Sequence, residues 1–175
     1  MKAATCLCAD QLVLQKVMEE KMKVIKYNTE LDAYKKNILV MENSTNYTDS
    51  NSLATPKEVS NMFNTVFHAN RQSEEHMWAL ALTTTCTPIG VFEISHGTAT
   101  SSLANPRELF TKLCLCGAVN FILVHNHPSG NCTASQEDID TTKRIKEASK
   151  IMGINFLDHI ILGDTFVSLR EQKLI

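Results

Sequence analysis

Residues 121–138 read FILVHNHPSGNCTASQED, a strand, a turn and a helix start in eighteen residues. Phe121 to Val124 is a short continuous apolar run, which predicts a strand buried on both faces. The chain then enters His125-Asn126-His127, and Pro128, Ser129 and Gly130 force a loop. Ser135 stands where a helix N-cap belongs, opening a helix over Gln136 to Met152 that Gly153 stops.

The same stretch carries the chemistry. His125 and His127 lie one residue apart at a strand end, so period-two geometry turns both imidazoles to one side. Ten residues separate His127 from Asp138, enough for a loop to fold the helix start back against the strand end. Two imidazoles and one carboxylate leave a fourth position open, as in a catalytic rather than a structural zinc site. Each residue also has a plainer reading. Ser135-Gln136-Glu137-Asp138 fits a capping-box-like start in which Asp138 serves only the free N–H groups of the helix.

Working outward, Asp158–Leu162 and Thr165–Leu169 read as two closing strands around a Gly163-Asp164 turn. Upstream, Met77–Thr83 and Ile89–Ser95 form a hairpin-like pair of strands across Thr84-Thr85-Cys86-Thr87-Pro88. A helix starts near Pro106 and ends at Gly117, and another runs from Pro56 to about His68 with Val59, Met62, Phe63 and Val66 as its apolar stripe. Residues 43–52 (NSTNYTDSNS) are nearly all polar and turn-forming, so they are read as a linker. The chain divides there into an N-terminal helix and strand segment with its linker, 1–52, and a domain, 53–175. In the first segment Leu14, Met18 and Met22 fall at helical spacing, followed by β-leaning runs at Val24-Ile25 and Ile38-Leu39-Val40.

Composition narrows the function classes. Apolar residues make up 43% and charged residues 21%, ordinary for a folded globular protein. A formal charge of −2 argues against a general nucleic-acid binder that relies on a basic surface. Lys143, Arg144, Lys146 and Lys150 do cluster on the long helix, a solvated face or a local contact for nucleic acid or an acidic partner. No signal-peptide core and no run long enough to span a bilayer are seen. The six cysteines lack CxxC spacing and read as free thiols of a reducing, cytoplasmic compartment, Cys132 among them as a bystander. The HxE and PCxxC of a zinc nucleobase deaminase are absent.

GTATSSLANPREL at 97–109, HNHPSG at 125–130, Ser135-Gln136-Glu137-Asp138-Ile139 and LDHIILGD at 157–164 resemble the RadC family, a branch of the JAMM or MPN-domain metalloproteins. The resemblance covers 97–175 and extends back to about Leu53. It implies an α/β, JAB-like (cytidine-deaminase-like) fold, a mixed sheet sandwiched by helices. It further implies one Zn2+ on His125, His127 and Asp138, and a distant glutamate that moves protons. Glu75, immediately before the strand at Met77, is preferred for that glutamate over Glu74. The family's motif serine matches Ser135, implying help for an oxyanion. The activity implied is hydrolysis of a peptide or isopeptide amide. The rival is a non-catalytic metal-binding module in DNA repair or a mobile element. Two departures stand out. Asn131-Cys132-Thr133-Ala134 precedes Ser135 where the family often has proline, and no helix-hairpin-helix segment of the longer relatives is expected in 1–52. His159, which has no metal-ligand spacing of its own, is expected to be a hydrogen-bonded strand histidine, with support of a ligand as the alternative.

Overall fold

Strand β3 (Glu75–Leu82, EHMWALAL) is buried along nearly its whole length, because both of its faces meet a core. Met77, Ala79 and Ala81 enter one apolar cluster, while Trp78, Leu80 and Leu82 enter another, as a period of two requires. The computed structural model describes residues 22–50, 52–97 and 104–175. The other strands are β1 (Met22–Leu31), β2 (Asn37–Tyr47), β4 (Pro88–Gly97), β5 (Asn120–Asn126), β6 (Asn155–Leu162) and β7 (Phe166–Ser168). They form one seven-stranded sheet in the order β2-β1-β4-β3-β5-β6-β7. The β1–β4 and β5–β6 pairs are parallel and the other four are antiparallel, so the sheet is mixed.

Among the described residues, three helices cover the two faces. Helix α1 (Pro56–Val66) starts on a capping box in which Thr55 and Glu58 satisfy each other's backbone N–H groups, with Pro56 in the first turn. Its Val59, Met62 and Phe63 are fully buried, with Phe63 against Trp78 at 5.5 Å between ring centroids. Helices α2 (Pro106–Leu115) and α3 (Gln136–Met152) cover the opposite face, where Leu109, Phe110, Leu113 and Ile145 meet Phe121 and Leu123. Each large apolar side chain so enclosed contributes roughly 1.5–3 kcal/mol. The expected α/β sandwich is what the chain forms.

The structure departs from the sequence reading in the first quarter of the described chain. Asn43–Tyr47, read as linker, form the end of β2, which pairs antiparallel along β1 from Met22↔Tyr47 to Leu31↔Asn37. β2 is an edge strand with one buried residue, Tyr47, so backbone pairing rather than an apolar stripe makes it a strand. The helical spacing assigned to Leu14 and Met18 lies outside the described residues, and Met22 begins β1. Helix α1 ends at Val66 rather than near His68, which takes a left-handed conformation before a short 3-10 turn.

Candidate metal centre

Strand β5 delivers the two histidines. Met77 pairs with His125 across β3 and β5, and the His127 N–H donates to the Leu162 carbonyl at 2.7 Å, prolonging the extended course beyond Asn126. The two imidazoles therefore share a side, with Nε2 atoms 2.8 Å apart. His127 Nδ1 lies 2.7 Å from the Asn131 carbonyl. A carbonyl only accepts, so Nδ1 carries the proton and the Nε2 lone pair faces the site.

Helix α3 brings the carboxylate. Ser135 is its N-cap: its backbone N–H and its hydroxyl each donate to Asp138 Oδ2 at 2.7 Å, and its oxygen accepts the Asp138 N–H at 3.1 Å. Asp138 thus caps its own helix and still faces the histidines, with Oδ1 3.3 Å from His125 Nε2 and Oδ2 3.5 Å from His127 Nε2. The cap and ligand readings are geometrically compatible, since a carboxylate offers about four lone-pair sites. Glu75 Oε1 approaches His125 Nε2 to 3.8 Å, whereas Glu74 turns outward to pair with His96 Nε2.

Asn126, between the histidines, is a positioning residue that the sequence reading missed. Its amide accepts the His76 N–H at 2.8 Å and donates to the Glu74 carbonyl at 3.0 Å. These are the backbone groups on either side of Glu75, so the clamp fixes where the Glu75 side chain leaves β3. Its only sequence signal was a polar residue inside a strand end. His159, buried like His125, places Nε2 2.8 Å from His125 Nδ1. Cys132 sits apart in a small cluster with Ile161 and Leu169, consistent with a bystander thiol. On α3, Arg144 donates to the Ala104 carbonyl and Lys150 pairs with Glu147.

Burial, helped by neighbouring His159, holds His125 well below the ordinary imidazole range. Burial would raise Asp138, but His127, His125 and Ser135 outweigh it and keep the carboxyl strongly acidic. The Asp138 carboxylate, which a protonated His127 would meet with a hydrogen bond, raises His127 against partial burial. Burial also raises Glu75. Ligand-type atoms of Glu75, His125, His127 and Asp138 all lie within 4.8 Å of one another. A second group, Glu74, His76 and His96, does so among the described residues at the more exposed ends of β3 and β4. In the first group, an ionised carboxylate beside a lone pair from His127 and the ring nitrogen of an uncharged His125 fits a divalent cation.

A family profile described as RadC-like JAB domain matches residues 53–174. This chain belongs to the RadC family. A UPF0758 protein of Clostridium acetobutylicum is 40% identical over 129 residues, 73% of this chain and 55% of that relative. UPF0758 proteins of Desulforudis audaxviator and Desulforamulus reducens are 48% and 51% identical over 101 and 102 residues. Those matches take in 57% and 58% of this RadC-family chain against 44% and 45% of the relatives. The chain spans about half the length of the curated relatives it matches. No helix among the described residues is long and apolar enough to cross a membrane.

Proposed function

We propose that this RadC-family domain is a zinc-dependent hydrolase that cleaves a peptide or isopeptide amide bond. His125, His127 and Asp138 hold the zinc and Glu75 moves the protons. The observation that carries the reading is the convergence of four groups from three elements on one point, with the odd one, Glu75, set slightly farther out at 3.8 Å. Two neutral imidazoles and a carboxylate with one position left over are the donor set of catalytic zinc. When bound there, zinc supplies a Lewis acid and brings the pKa of water toward ~7.

Burial raises the Glu75 carboxyl, moving it toward the pH at which a proton carrier works best. It accepts a proton at Oε1 from the attacking water and returns it to the leaving amine. The Ser135 hydroxyl proton is engaged with Asp138 Oδ2, so serving an oxyanion requires it to turn from that partner. The four described cysteines are free, which supports a reducing compartment such as the cytoplasm.

The test is hydrolysis of a peptide and isopeptide panel by the zinc-loaded chain. Glu75→Gln is expected to keep its zinc and lose roughly 10²-fold or more in turnover, while Glu74→Gln changes little. Undiminished turnover in Glu75→Gln overturns the assignment.

A further inference from the structure

Behind His125 a line of hydrogen bonds runs away from the candidate metal centre. His125 Nδ1 lies 2.8 Å from His159 Nε2, His159 Nδ1 lies 2.6 Å from Thr142 Oγ1, and Thr142 Oγ1 lies 2.6 Å from the Asp138 carbonyl oxygen. All three side chains are fully buried, so no water competes. The direction of every proton in the line follows from its far end. A hydroxyl oxygen 2.6 Å from a carbonyl must donate to it, because a carbonyl has no proton to give. Thr142 has only one proton, so toward His159 it can only accept, and His159 must carry its proton on Nδ1. The neutral His159 then has a lone pair on Nε2, and the proton between the two rings belongs to His125 Nδ1. The only nitrogen of His125 left without a proton is Nε2, the one facing Asp138 and His127.

We infer that Thr142 and His159 are positioning residues that lock His125 in its Nδ1–H tautomer and so present its Nε2 lone pair to a metal before any metal arrives. The arrangement rests on the metal reading for its purpose but not for its geometry. It matches what is general for histidine ligands, whose second ring N–H is held by a fixed acceptor. Here the acceptor is another imidazole, which can reverse its own polarity, and Thr142 prevents that reversal. Thr142 lies one helical turn after Asp138, so the same stretch of α3 supplies the carboxylate and sets the tautomer of its neighbour. His127 reaches the same tautomer independently through the Asn131 carbonyl. The 2.8 Å between the two Nε2 atoms is thus an encounter of two lone pairs, which a cation relieves.

The experiment uses the full chain, metal-free, with 15N-labelled histidine at about pH 8, where free imidazoles are neutral. Long-range 1H–15N correlation spectra distinguish the two tautomers of each ring. Wild type is expected to show His125 protonated on Nδ1. Thr142→Val, nearly isosteric, removes the fixed acceptor. His159 can then donate from Nε2, and His125 shifts its proton to the metal-facing Nε2. Zinc affinity, read by competition with a chelator, falls roughly 10- to 100-fold. Thr142→Ser keeps the hydroxyl and restores both readouts, which a packing defect would not do. An Nε2–H His125 in the wild type, or an unmoved tautomer in folded Thr142→Val, overturns the inference. Should Thr142→Val fail to fold, His159→Phe supplies the second test: it removes the acceptor that His125 Nδ1–H has among the described residues, so the His125 proton is expected on Nε2, and a proton kept on Nδ1 overturns the inference. Failure of the metal reading has a different signature: the wild-type tautomers hold as described while zinc fails to bind.

Discussion

Glu93 stands where β1, β3 and β4 exchange charge. Its carboxylate meets Lys26 at 3.1 Å and His76 at 3.1 Å, while its carbonyl accepts from Lys112 at 2.7 Å. Burial would raise the Glu93 carboxyl, but Lys26 and His76 hold it below the ordinary glutamate value. A carboxylate depressed in the folded state binds fewer protons there than when unfolded. Its stabilising effect is therefore present above about pH 4.5 and is lost as pH falls through the lower folded value. Because the side chain is 29% exposed, the effect is on the order of 1 kcal/mol at most. Comparing melting temperatures of wild type and Glu93→Gln between pH 7 and pH 3 should show an advantage for wild type at neutral pH that closes in acid. A gap constant with pH would contradict the assignment. At this scale the sequence was legible only where spacing is local. His125, His127 and Asp138 could be found by counting, whereas His159 and Asn126 could not. His159 reaches its neighbour through the parallel β5–β6 register, which pairs it with Leu123, and no sequence interval encodes that.

Among the elements, the loop between His127 and Ser135 depends on its contact with the β6–β7 turn. Asp164 N–H donates to the Gly130 carbonyl at 2.8 Å, and Gly163 is so close that an added Cβ would stand 2.3 Å from that oxygen and 2.8 Å from Cys132 Sγ. The obstruction is backbone, so it cannot swing aside. Gly163→Ala is therefore expected to push the loop outward, lowering stability by about 1–3 kcal/mol. It should also weaken zinc binding, since the Asn131 carbonyl that orients His127 moves with the loop. Thermal melts and chelator competition check both effects, and unchanged values in both would show that the turn does not brace the site. The three helices were readable because their punctuation is local: proline early in α1 and α2, Ser135 and Gly153 around α3. Strand β2 was readable only at its β-leaning Ile38-Leu39-Val40 run, and its Asn43–Tyr47 end was not. Its polar residues face solvent along an edge and are held by the β1 ladder, so the hydrophobic alternation that reveals a half-buried strand never forms.

At the scale of the molecule, the sheet brings groups far apart in sequence to one end of its central strands. The start of β3, the end of β5 and the first turn of α3 meet there, and the two apolar clusters on either face of the sheet keep those elements in register. The β1–β2 hairpin joins the far side through Lys26↔Val91 and Tyr27↔Phe92, with the Tyr27 and Phe92 rings stacked at 5.8 Å. It extends the same sheet, with β4 standing between it and β3. If these four groups hold one metal ion, the metal content of the protein reports it. Elemental analysis of the purified chain, prepared without a metal-binding tag, is expected to find about one zinc per protein. Asp138→Ala should lose most of it, beyond the ~1 kcal/mol of stability that a lost helix cap costs. No zinc in the wild type, or full zinc in a folded Asp138→Ala, would contradict the account.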